Sequence, residues 1–120
     1  MKKGLRRLEL ILEYGQTALD FMLGKSLAQW REDIKLRYAV AHALAGAVEN
    51  IKEYSKTPEA ERKLEELNHI EWKLIIRFRD KLIHHYEVLD QDVLYEFVTI
   101  QLPDVLEAVR TLKNKERDQG

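Results

Sequence analysis

A chain of 120 residues has room for one domain with a single core, and at that size a partner subunit would help to cover apolar surface. With 45% hydrophobic and 34% charged residues the composition is globular, not disordered, and the lack of cysteine excludes disulfides and thiolate metal centres. A net charge of −1 excludes a general attraction to polyanions, and no apolar run approaches the roughly 20 residues of a membrane helix.

Met1-Lys2-Lys3-Gly4 resembles the basic start of a signal peptide, but Arg6, Arg7 and Glu9 interrupt what would be its apolar core. The expectation is a soluble cytoplasmic protein with no membrane segment. From the N-terminus, Leu5, Leu8, Ile11/Leu12, Leu19 and Met22 form a helical stripe that Gly24-Lys25-Ser26 should end. Ile34, Tyr38, Ala41, Ala45 and Val48 form a second, with Leu44 and Ile51 beside it. Its small-residue stretch, residues 39–47 with Gly46, suits close helix packing within the subunit or between subunits. Ser55-Lys56-Thr57-Pro58 should end this helix, with Thr57 as N-cap and Pro58 at the first position of the next. Leu64, Leu67, Ile70, Leu74, Phe78 and Leu82 make a third stripe, interrupted over residues 84–90. Leu94, Val98, Leu102, Val105, Val109 and Leu112 make a fourth, which continues across Pro103 and so predicts a kink or restart there. No segment alternates with period two. The expected fold is all-α, a four- to five-helix up-down bundle, with one domain over residues 1–113 and a frayed polar tail over 114–120.

Charge is unevenly spread along this frame. Residues 72–86 hold four basic side chains (Lys73, Arg77, Arg79, Lys81) and one acid, Asp80, whereas residues 87–107 hold six acids and no Lys or Arg. The basic segment contains Arg79-Asp80-Lys81-Leu82-Ile83-His84-His85-Tyr86, an Arg-x4-His-x-Tyr pattern. Cleavage of RNA by its own 2′-hydroxyl needs a base for that proton and an acid for the leaving oxygen, and histidine suits either task. Charge developing on the phosphorus oxygens needs fixed donors, and an arginine fork supplies two. Arg79 and His84 are therefore the candidate catalytic pair. Asp80 and His85 are candidate supports, Lys73, Arg77 and Lys81 candidate phosphate contacts, and Tyr86 a hydrogen-bond donor or stacking platform.

Geometry constrains this reading. In an unbroken helix Arg79 and His84 point about 140° apart. Either the chain becomes extended near His84, which would put His84 and Tyr86 on one side, or a two-fold dimer brings two motifs together; both are expected. His42 reads as ordinary helix-face packing, His69 as a surface or helix-start residue, and Trp30 and Trp72 as core or interface aromatics. No carboxylate and histidine pairs repeat at metal-ligand spacing, so neither metal nor cofactor is expected.

Arg79-x4-His84-x-Tyr86, preceded by Phe78 and followed by Glu87-Val88-Leu89-Asp90, resembles the signature of HepT-like toxins of the HEPN superfamily. Tyr38-Ala39-Val40, Ala47-Val48-Glu49 and Leu102-Pro103-Asp104 extend the similarity over roughly residues 30–112. The resemblance implies a metal-independent endoribonuclease, usually a homodimer with a composite cleft, acting on RNA. It also implies a type VII-like toxin–antitoxin pair, whose partner is an MntA-type minimal nucleotidyltransferase that silences the toxin by transferring AMP to the motif tyrosine, here Tyr86. The position after the arginine is often asparagine in that family and is Asp80 here, whose charge opposes phosphate binding. Two other readings stay open: a non-catalytic HEPN subunit that presents substrate to a nucleotidyltransferase, and a plain helical structural protein.

Overall fold

The computed structural model describes residues 2–119, with side chains for 4–118. Among these residues the structure is all helical. Helix α1 (Lys2–Met22) ends in a turn where Gly24 adopts a φ of +75°, a left-handed value that glycine takes without steric cost. Ser26 then caps α2 (Leu27–Glu32) with a reciprocal capping box: its hydroxyl accepts from the Gln29 amide at 3.1 Å, and the Ser26 amide donates to Gln29 Oε1 at 2.8 Å. Asp33 closes α2 and caps α3 (Ile34–Ser55), accepting from the Leu36 amide.

Helix α3 packs on α1 and α5 (Trp72–His84), and α1 packs on α7 (Leu102–Gln119). The core comprises Leu8, Ile11, Ala18 and Met22 of α1, Val40, Leu44, Val48 and Ile51 of α3, and Leu102, Val105, Leu106, Val109 and Leu112 of α7. No described helix is long and apolar enough to cross a membrane.

The small residues of α3 are used inside the subunit. A methyl group on Gly46 would stand 2.6 Å from Cδ1 of Tyr14, so that ring lies directly on the glycine. Gly15 on α1 is tighter still: a Cβ there would meet Leu106 Cδ2 at 2.5 Å, and Leu106 is 0% exposed. Alanine favours a helix over glycine by about 1 kcal/mol. At Gly15 overpacking of a closed core, about 1–3 kcal/mol, overrides that gain. The Gly15→Ala protein is expected to unfold at lower urea concentration than the wild type with an unchanged m-value.

Three local expectations need correction. Thr57 does not cap the next helix. Its hydroxyl donates to the Tyr54 carbonyl at 2.7 Å, finishing α3, and the short α4 (Ala60–Glu65) begins instead after Glu59, which has a φ of 64°. The third stripe is two helices, not one. A turn over residues 66–71 separates α4 from α5, and Trp72 fastens it by donating from Nε1 to the Leu67 carbonyl at 3.1 Å. Finally, α7 stays helical to Gln119, where a frayed tail is expected from residue 114. Lys63 Nζ, nearly buried on α4, meets Glu116 Oε1 at 2.7 Å and ties that end down. Met1 and Gly120 of the expected spans lie outside the described residues.

At Pro103 the helix neither stops nor restarts after a loop. Helix α6 (Gln91–Glu96) runs into a π-helical turn (Phe97–Gln101) and on into α7. In that turn the Leu102 amide reaches back to the Phe97 carbonyl, five residues away. The wider turn makes room for a ring that has no N–H to give.

Candidate active site

The motif sits at the far end of α5. The helix is unbroken from Trp72 to His84, so the angular argument holds within one subunit. At 100° per residue, Lys73, Arg77, Lys81 and His84 fall within an arc of about 80°, with Asp80 at its edge, and Arg79 points about 140° away from His84. Burial agrees with this division. Lys73, Arg77, Asp80, Lys81 and His84 are exposed, whereas Ile75 and Leu82, on the side of Arg79, are buried. Among the described residues, the side chains of Lys73, Arg77, Lys81, His84 and His85 have no hydrogen-bond or ion-pair partner. The result is a solvent-facing basic stripe with an imidazole at its end.

Arg79 faces α3 instead. Its Nε forms an ion pair with Glu49 Oε1, and its Nη1 lies 3.6 Å from Asp80 Oδ1. The Arg79 side chain is 22% exposed, and Nη2 carries no protein partner among the described residues. Glu49 thus holds the Nε edge of the fork and leaves Nη2 without a protein partner.

After His84 the chain turns sharply. His85, at φ −135° and ψ 37°, closes α5, and residues 86–88 form one 3₁₀ turn before Asp90 starts α6. Asp90 accepts from the amides of Asp92 and Val93 at 2.9 and 3.2 Å. The extended segment expected near His84 is therefore absent among the described residues. This turn sends Tyr86 back onto α3, where its ring centroid lies 5.0 Å from that of Tyr38 at an interplanar angle of 33°. The Tyr86 hydroxyl donates to Gln91 Oε1 at 3.3 Å. Gln91 is itself anchored: its carbonyl accepts from Trp30 Nε1 at 2.8 Å, and next to it Asp92 pairs with Arg31 at 2.6 Å. Burial pushes the Tyr86 phenol above its ordinary pKa, while nearby Arg37 and Gln91 pull the other way. The hydroxyl is therefore a neutral donor near neutral pH.

Arg79 and Tyr86 both touch α3, at Glu49 and Tyr38. These two lie on one face of α3, eleven residues or about 16 Å apart along the axis. One subunit therefore brings Tyr86 together with Tyr38 and Arg79 together with Glu49 and Asp80, but does not bring Arg79 and His84 together. An open groove of about 600 Å³ runs beside Tyr86, lined among others by Arg37, Tyr38, His42, Ile83 and Glu87. His42, expected to pack on a helix face, is exposed in this groove, whereas Trp30 and Trp72 are buried. Sequence reasoning missed Glu49, Arg37, Tyr38 and Gln91 as neighbours of the motif; they precede or follow it by contacts that no spacing rule encodes. Among the described residues no three His, Asp or Glu side chains are grouped to hold a metal ion.

An all-helical bundle presenting an Arg-x4-His-x-Tyr motif on an exposed helix end is the architecture of a HEPN-type ribonuclease. The chain matches the HepT-like ribonuclease family over residues 11–112, and it belongs to that family. It is 30% identical over 112 residues to "Putative RNase MJ0127" of Methanocaldococcus jannaschii, covering 88% of this chain and 84% of the relative. It is also 30% identical over 95 residues to "Putative RNase MJ1216" of the same organism, covering 79% of this chain and 74% of that one. No solved structure gives a significant match.

Proposed function

We propose that this chain is a metal-independent endoribonuclease whose working site is shared between two copies. The observation that carries this reading is the position of His84: exposed, without a protein partner, and in line with Lys73, Arg77 and Lys81. Three cations along a helix attract a phosphate backbone by releasing its counterions. They deliver it to a group able to move protons. Arg79 lies on a different side of α5, so a two-fold partner is needed to place one subunit's guanidinium beside the other's imidazole.

In the reaction a 2′-oxygen attacks the adjacent phosphorus as one imidazole takes its proton. The P–O5′ bond breaks, and the departing oxygen receives a proton from the second imidazole. The products are a 2′,3′-cyclic phosphate and a 5′-hydroxyl. The Nη2 edge of Arg79 stabilises the negative charge on the phosphorus oxygens. His85, beside His84, helps to hold the strand, and Asp80 sits at the stripe's edge, where its charge limits how tightly phosphate is held.

Regulation falls to Tyr86. A nucleotidyltransferase antitoxin of the MntA type would join AMP to its hydroxyl: the phenol oxygen attacks the α-phosphorus of ATP, pyrophosphate leaves, and the phenol proton passes to water. A bulky anion two residues from His84 would repel RNA. The pair would then act as a toxin and its antidote in the cytoplasm. End-labelled RNA incubated with the purified protein in EDTA is expected to be cut, leaving cyclic phosphate ends. Tight binding without cutting at any concentration would favour the rival reading, a non-catalytic subunit of the nucleotidyltransferase. Mass spectrometry after incubation with that partner and ATP should find one AMP on Tyr86, and an unmodified Tyr86 would remove the silencing scheme.

A further inference from the structure

We propose that the groove between α3 and the turn after α5 is a nucleobase subsite, with Tyr38 as its stacking platform and Arg37 and Glu87 reading the edge of the base. The proposal rests on the ribonuclease reading and adds to it the part of the substrate that the cationic stripe does not hold.

Tyr38 is the central observation. It is 55% exposed, although one face of its ring is covered by Tyr86 at 5.0 Å. A large aromatic fixed on one side and open on the other is what a base needs for stacking. Tyr86, held by Gln91, acts as its backing plate. Ile34 and Ile83, 54% and 44% exposed, extend the apolar floor.

Charge distinguishes a base from a phosphate here. Arg37 and Glu87 both line the groove, one of each sign, so it offers no net attraction to an anion. That contrasts with the unpaired cations of α5. Arg37 is also prepositioned: its Nη1 donates to the carbonyls of Trp30 and Arg31 at 2.9 and 2.5 Å, which fixes the fork's direction beside the Tyr86 hydroxyl. Its remaining N–H groups can donate to a ring nitrogen or exocyclic oxygen, and Glu87 can accept from an exocyclic amine. His42, one turn beyond Tyr38 in the same groove, can hydrogen-bond a ribose hydroxyl. A volume of about 600 Å³ accommodates one nucleoside with solvent to spare.

An AMP joined to Tyr86 would bring the same chemistry to the same rings, so the test uses protein made without the nucleotidyltransferase and verified by mass as unmodified. The probes are a fluorescein-labelled 2′-O-methyl hexanucleotide, uncleavable for want of a nucleophile, and the same strand with abasic central positions. Anisotropy should show Tyr38→Ala binding the intact strand on the order of 10- to 100-fold more weakly, the range for one lost base stack. Tyr38→Phe and Tyr38→Trp should bind within a few-fold of wild type. On the abasic strand all four proteins should bind alike. Equal weakening of Tyr38→Ala on both strands would assign the ring to architecture, including any subunit contact, and overturn the subsite. An unchanged Kd on the intact strand would overturn it too while leaving the ribonuclease reading standing. If the wild type binds neither strand, the ribonuclease reading itself fails and takes the subsite with it.

Discussion

Replacing His84 with alanine should reduce RNA cleavage in EDTA by about 10²- to 10⁴-fold, the usual contribution of a positioned acid–base group. At 1.36 kcal/mol per factor of ten this is about 3–5 kcal/mol of barrier. The same change should leave the fold almost untouched. His84 is exposed and has no partner among the described residues, and substitutions at such sites usually alter stability by no more than about 0.5 kcal/mol. Single-turnover cleavage of an end-labelled strand, beside a urea titration of each protein, checks both halves. His84→Asn sharpens the result. It keeps a hydrogen-bonding group of similar size but cannot shuttle a proton near neutral pH, so it should be as slow as alanine. Cleavage by either variant within about threefold of wild type would mean that the imidazole's position on the cationic stripe is incidental.

The large loss with an intact fold follows from how α5 divides its surface. Its buried side, Trp72, Ile75 and Leu82, is bound into the core, and its open side carries the charges. Helical periodicity made that division legible, because position along a helix fixes direction. It also made legible the stops at Gly24 and Ser55 and the disturbance at Pro103, since each depends on a local backbone rule. What the sequence did not disclose is long-range. On α3, Ile34, Tyr38, Ala41 and Ala45 form as regular a stripe as Leu36, Val40, Leu44 and Val48, yet Ile34 and Tyr38 are more than half exposed while the second set is buried. Periodicity finds apolar faces but not which neighbour covers them. Likewise Leu64 to Leu82 keeps phase across a turn, because the turn places Ile70 in the core without continuing the helix. The neighbours of Arg79 and Tyr86 were hidden for the same reason: Glu49 and Tyr38 lie 30 and 48 residues before them, and only the packing of α5 on α3 brings them close.

The ion pair between Arg79 and Glu49 links stability to function. The two side chains are 22% and 39% exposed, but the paired atoms, Nε and Oε1, are both buried, so removing one leaves the other out of water without its partner. Arg79→Ala should therefore cost about 1–3 kcal/mol in a urea titration. If Nη2 contacts the reacting phosphate, the same change should slow cleavage by about 10²- to 10³-fold, as loss of one preorganised donor typically does. Arg79→Lys should not restore the rate, because an ammonium cannot be gripped by Glu49 on one edge while offering a second donor on the other. Glu49 is then a positioning residue. Glu49→Gln keeps an acceptor oxygen for Nε and should remain near wild type. Glu49→Ala loosens the fork and should lower kcat roughly tenfold with KM little changed, the signature of an interaction realised in the transition state. The double variant Arg79→Ala/Glu49→Ala should be no slower than Arg79→Ala alone, since Glu49 acts only through the arginine. A double variant markedly slower than Arg79→Ala would show Glu49 touching the RNA by itself. A Glu49→Ala enzyme faster than wild type would show the carboxylate restraining the guanidinium from phosphate instead of aiming it.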